Sequence, residues 1–225
     1  LKELPAAKKY PELPINDTKV YVCYYPMKQA EIVMLGKDVL FNKELYPYIF
    51  LYNDYYGSGL SSIMFQEIRE KMALAYSVYS SFGVPQYATE SHYVTSYVGT
   101  QADKLKTALD EMNKLLNDMP EVPQQFEGAR ASVVKTLESD WITRADMYGA
   151  YERARKRGLN YDVRKDIYNK AKTLSLADVH KFFNEHVKGK KYAYLVIGKK
   201  EDLNMDALGQ LGTVQVLDPK QIFGY

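Results

Sequence analysis

Gly57-Ser58-Gly59-Leu60-Ser61-Ser62-Ile63-Met64-Phe65-Gln66-Glu67-Ile68-Arg69-Glu70-Lys71-Met72-Ala73-Leu74-Ala75-Tyr76-Ser77-Val78-Tyr79-Ser80-Ser81-Phe82 is the stretch whose reading decides the fold. The first three residues stop one helix and turn the chain toward the next. Ser61 or Ser62 supplies the hydroxyl that an N-cap needs. Met64, Ile68 and Met72 then recur at four-residue steps, with Phe65 beside them, which predicts a helix with one buried stripe through about Lys71. From Tyr76 the period changes to two, so a strand over 76–84 follows the helix directly.

Working outward, residues 93–99 repeat the period-two pattern after a turn at 85–90, and the pair reads as a hairpin. Upstream, 20–25 and 31–37 are β-rich runs joined by Pro26-Met27-Lys28-Gln29, and a helix over 44–56 tolerates Pro47 only in its first turn. Downstream, Thr100-Gln101-Ala102-Asp103 resembles a capping box, and Leu105, Ala108, Leu109, Met112, Leu115 and Leu116 follow at helical spacing. Pro123 begins a long helical stretch interrupted near Gly158. Further helices are expected over 162–172 and from Ser175, then a strand over 192–197, a short helix and an edge strand over 213–217. Strands in pairs, rather than alternating singly with helices, predict an α+β fold: an antiparallel or mixed sheet with helices on one face. Residues 1–16, with Pro5, Pro11 and Pro14, read as a linker or arm, and 17–225 as one domain.

The chain has 225 residues, 46% of them apolar and 26% charged, and a net charge of +2. That charge is too small to point to nucleic acid or an anionic membrane, and no apolar run is long enough to span a bilayer. Leu1 is neither an initiator Met nor the start of an apolar leader, so the chain reads as a mature form or a piece of a longer protein. The compartment stays open; a soluble bacterial protein of cytoplasm or periplasm is the expectation. Cys23, the single cysteine, reads as a small core residue. The 21 tyrosines hint at a contact surface.

Three histidines are present. His180 and His186 stand six apart on one predicted helix, a rotation of about 600°, so their rings point to different faces. Glu185-His186 mimics the end of an H-x-x-E-H motif, but Phe182 stands where the first His is needed, and no metal site is expected. Gly57-Ser58-Gly59 lacks the Lys and the spacing of a phosphate loop. Arg69 and Tyr76 are more informative. A guanidinium and a phenol at a helix–strand corner are groups that bind a peptide carbonyl or the oxyanion formed from it. The plain alternative is a surface Arg and a packed Tyr, and residue types alone favour it.

The stretch from Gly57 to Phe82 resembles the signature of the pitrilysin/insulinase family of zinc metallopeptidases, with its Gly-rich opening, Ser-Ser, Met-Phe, Arg-Glu-Lys and Ala-Tyr-Ser. Weaker resemblance covers the opening hairpin with Gln29 and the closing 174–179 segment. Ser58 and Met72 depart from positions often Gly. The resemblance implies paired halves that close around a peptide. The amino-terminal half would carry H-x-x-E-H and hold zinc, which polarises the scissile carbonyl and activates water beside a Glu base. The carboxy-terminal half would bind no metal and would supply an Arg and a Tyr seven residues apart. Arg69 and Tyr76 match that pair. Tyr76 would donate to the oxyanion and Arg69 would hold the peptide or Tyr76 itself, with Ser77 and Tyr79 as further substrate contacts. The 76–99 segment would offer an edge to an extended peptide. The expected partner is a homologous zinc-binding domain, in the same chain or separate. Two other readings are a non-catalytic assembly subunit of the same family and a stand-alone peptide-binding module.

Overall fold

The computed structural model describes residues 10–224. In chain order it contains β1 (Lys19–Tyr24), β2 (Gln29–Leu40), a 3₁₀ turn (Lys43–Leu45), α1 (Tyr46–Tyr52) running into a π turn (Asn53–Gly57), and a π-helical stretch (Phe65–Lys71). Then come β3 (Ala75–Gly83), β4 (Ser91–Gln101), α2 (Leu105–Leu115), α3 (Pro123–Ser139), α4 (Arg144–Lys156), α5 (Arg164–Ala171) and α6 (Leu176–His186). The chain closes with β5 (Ala193–Gly198), α7 (Met205–Leu211), β6 (Thr213–Leu217) and α8 (Pro219–Phe223).

The six strands form one mixed sheet in the order β3-β4-β2-β5-β1-β6. β3, β4, β2 and β5 are successively antiparallel, whereas β1 runs parallel to both β5 and β6. β1 and β2 are therefore not a hairpin, as the short link between them suggests. β5 lies between them, and the link crosses two strand spacings, about 10 Å, within reach of four extended residues.

Alternation sets the two faces. Val20, Val22, Ala30, Ile32, Met34, Val78, Phe82, Val94, Val98, Tyr194 and Val196 point into the core beneath the helices. The opposite face carries Tyr21, Glu31, Val33, Leu35, Tyr79, Tyr97, Leu195 and Ile197, all half-buried. Some of the tyrosines belong to the core. Tyr52, Tyr55 and Tyr56 are each about 1% exposed or less, because a buried hydroxyl is tolerated when it is bonded. Tyr52 shares a hydrogen bond with Ser80 Oγ at 3.1 Å, Tyr55 donates to Pro120 O at 2.9 Å, and Tyr56 donates to Leu115 O at 2.6 Å.

Three local expectations change. The helix after Ser62 is wound with π geometry, so the four-residue stripe slips: Met64 and Ile68 are buried but Met72 is 42% exposed. Thr100 caps no helix. Its hydroxyl instead donates to Leu74 O at 2.6 Å, stitching β4 to the corner before β3. The long downstream stretch is interrupted near Gly158 as expected, where α4 ends and Gly158 takes φ +69°, but it is also broken earlier, at 140–143, where Thr143 and Asp146 form a capping box that starts α4. The predicted arm is described only from Tyr10 onward; its first nine residues, with Pro5, lie outside the described residues. Residues 10–16 carry no helix or strand, and Glu12 binds Lys37 at 3.0 Å and accepts from Ser91 N at 2.8 Å. Cys23 is buried.

Candidate functional site

The corner between the π-helical stretch and β3 is built by nested backbone bonds. Ala73 N donates to Arg69 O at 3.1 Å and Leu74 N to Ile68 O at 3.0 Å, a wide version of the left-handed helix stop. Ala73 carries φ +48°, alone among the described non-glycine residues. Lys104 Nζ donates to Ala73 O at 3.1 Å and supports the turn from outside.

Directly after it, β3 contains an extra residue. Ala75 opposes Thr100 and Ser77 opposes Gly99, so Tyr76 sits in a β-bulge. Counting back by twos from buried Val78 would aim Tyr76 into the core. The bulge turns it out instead, and its ring is 74% exposed. The Arg69 guanidinium reaches back between two rings, 4.7 Å from the Phe65 centroid and 4.9 Å from the Tyr76 centroid. Cation–π contact on both faces orients the group without a strong ion pair; Glu70 is its nearest carboxylate, at 3.6 Å from Nε. Arg69 and Tyr76 thus come together at the helix–strand corner. The Tyr76 hydroxyl has no partner among the described residues and stands available as a donor.

Ser77 and Tyr79 lie on the open face of the sheet, Ser77 exposed and Tyr79 half-buried. Tyr79 stacks on Tyr97 of β4, with ring centroids 5.4 Å apart and planes at 20°. The Tyr97 hydroxyl donates to the Glu31 carboxylate. Burial, and next the bonded carboxylate, push the Tyr97 phenol up to about 12. Sequence reading missed Tyr97 and Glu31. The usable signal was the alternation of 91–101 against 29–37, which puts both on the face opposite the core.

β3 is an edge strand, yet its outer side is partly taken. Asn53 Nδ2 donates to Phe82 O at 3.1 Å and Asn53 Oδ1 accepts from Phe82 N at 2.8 Å. Gly57 packs so closely on Ser80 O that a Cβ there would lie 1.7 Å from it. Pairing by an added strand, expected for 76–99, has room only on the Ala75 side of Ser80.

The histidines serve packing. His92 is fully buried; it accepts from Asn42 N at 3.1 Å through Nε2, and Nδ1 lies 2.8 Å from Gly83 O, so Nδ1 carries the proton. His186 Nδ1 bonds Asp38 at 2.7 Å, and Lys190 bonds the same carboxylate at 2.5 Å. Phe182 is a core residue, stacked on Tyr48 and edge-on to Phe82. His180 pairs with Asn184. Among the described residues no group of three or more His, Cys, Asp or Glu converges, so these side chains do not fit a zinc ion. No helix among them is long and apolar enough to cross a membrane.

A family profile described as "Peptidase M16 inactive domain" matches residues 2–132, more than half of the chain. An "Uncharacterized zinc protease" from Rickettsia bellii is 40% identical over 76 residues, 34% of this chain and 18% of that protein. Among solved structures, the peptidase M16 inactive domain from Pseudomonas fluorescens superposes with a TM-score of 0.71 at 20% identity, covering 87% of this chain and 47% of that one. A protease from Helicobacter pylori gives 0.70 at 15% identity, covering 88% and 48%. These likenesses show the fold, and the chain spans about half the length of the solved relatives. The chain belongs to the peptidase M16 family, as a copy of its inactive domain.

Proposed function

We propose that this chain is the substrate-holding half of a two-domain zinc peptidase, with Tyr76 as oxyanion donor and Arg69 as its brace and peptide contact. Membership of the inactive-domain family supports it, as do structural relatives about twice as long. The observation that carries the reading is the phenol of Tyr76, turned out of the core by a bulge and held from behind by a guanidinium.

On this reading the metal belongs to the homologous amino-terminal half, in the same polypeptide or a separate one, and supplies carbonyl polarisation and water activation there. This chain's residues do the rest. Tyr76 gives a hydrogen bond that strengthens as charge builds on the carbonyl oxygen, and Arg69 keeps the ring from swinging away. Ser77 and Tyr79 line the path of the bound peptide along the open face of the sheet.

Mixing the separately prepared halves tests it. The two together should hydrolyse an unstructured peptide that neither cleaves alone, since a cleft shared between domains binds poorly when halved. Unchanged inactivity of a demonstrably assembled pair would contradict the reading and favour a purely structural subunit.

A further inference from the structure

On the open face of the sheet, register places Ser77 of β3, Gly99 of β4 and Glu31 of β2 in one row. Gly99 has a specific use there. A Cβ at that position would lie 2.7 Å from the Tyr97 hydroxyl and 3.1 Å from Glu31 Oε2. The carboxylate therefore lies over β4, leaning from β2 toward Ser77 and the Tyr76 bulge, and only a residue without a side chain leaves that space. Among the described residues Tyr97 is its one hydrogen-bond partner and no Lys, Arg or His forms an ion pair with it. The cation on the same strand and face, Lys37, is already paired with Glu12 at the far end of the sheet. Tyr97, whose hydroxyl bonds the carboxylate, is in turn stacked on Tyr79 of β3.

A half-buried carboxylate left without a cation and held by a single phenol hydroxyl is the chemistry of a site for a basic group. The carboxylate accepts a charge-assisted hydrogen bond from such a group. We propose that Glu31, with Tyr79 and Tyr97, is a specificity determinant that receives an Arg or Lys side chain of the bound peptide. This rests on the peptide-holding reading above and adds the substrate class.

The test separates the two. A fluorescein-labelled decapeptide of Gly, Ser and Ala with one central Arg, and its twin with citrulline in place of Arg, are titrated by anisotropy into the complete protein without and with chelator. Citrulline keeps the shape and removes the charge. The wild type should prefer Arg by roughly 10–100-fold, the span of one charge-assisted hydrogen bond. Glu31→Gln should abolish that preference by weakening the Arg peptide to the level of the citrulline peptide. If Glu31→Gln fails to show a cooperative melt, Glu31→Asp, which withdraws the carboxylate from over Gly99, should lower the preference instead. Equal binding of the two peptides to the wild type, or a preference untouched by removing or withdrawing the carboxylate, overturns the proposal. Absence of hydrolysis with the Arg preference intact would remove only the peptidase reading.

Discussion

The Arg69 guanidinium lies 4.9 Å from the centroid of the Tyr76 ring, brought there across a turn of six residues. A π-wound helix end, a left-handed Ala73 and a bulge at Tyr76 occur within eight residues, 69–76. Each departs from regular geometry, and irregular backbone of this kind collects where side chains must be aimed.

Ala73 holds φ +48° with a Cβ that resists it. Ala73→Gly removes the clash at the cost of a more flexible unfolded chain, and the net effect is a gain of up to about 1 kcal/mol. Ala73→Val should lose at least that much. Urea unfolding at constant m-value measures both.

Gly57→Ala tests how the turn before the signature docks on β3. Its Cβ would sit 1.7 Å from a backbone oxygen, which cannot rotate away as a side chain would. Separation of the turn from β3 would also loosen the Asn53 bonds to Phe82. A loss of about 2–3 kcal/mol is expected, at the upper end of overpacking. A stability equal to wild type would show that this approach is not close in solution.

Acid should weaken the fold in two windows. Burial lowers the pKa of His92 below its usual 6.5, with Gly83 O, Asn42 N, Asp38 and His186 around it. The unfolded chain then takes up a proton that the folded one refuses, so stability falls as pH drops below about 6.5 and levels off beneath the lowered value. Burial on its own would raise Asp38, but bonds from His186 and Lys190 outweigh it and leave its pKa below 3.8. That contribution is present above pH 3.8 and disappears as pH falls through the folded value. In His92→Gln the first window should vanish and the second remain, measured as urea midpoints between pH 8 and 3.

Because no set of side chains among the described residues fits zinc, the chain by itself should hold less than about a tenth of an equivalent after dialysis, and chelator should leave its melting temperature unchanged. Elemental analysis and a melt with chelator check this. One tightly held zinc per chain would contradict the assignment.

Much of the fold was legible in the sequence because local rules governed it. Ser175 and Asp178 close a capping box as their spacing suggests, and the strand over 213–217 stands as read. Alternation in 93–99 gave the buried face. What sequence could not give was non-local. The insertion of β5 between β1 and β2 depends on pairing between distant segments. The slip that exposes Met72 comes from π winding, which no residue pattern in 64–72 announces. At the site, the sequence placed Arg69 and Tyr76 at a helix–strand corner and only the family resemblance singled them out, while the bulge that turns Tyr76 outward needs the register against Thr100 and Gly99. Glu31 and Tyr97 meet only across β2 and β4.

The most direct test of the central claim is kcat/KM of the complete protein with Tyr76→Phe, which deletes one oxygen and keeps the ring that Arg69 packs on. The account predicts a fall of roughly 10²–10³, carried by kcat, with the zinc content and melting temperature of wild type. Wild-type turnover by that variant would contradict it.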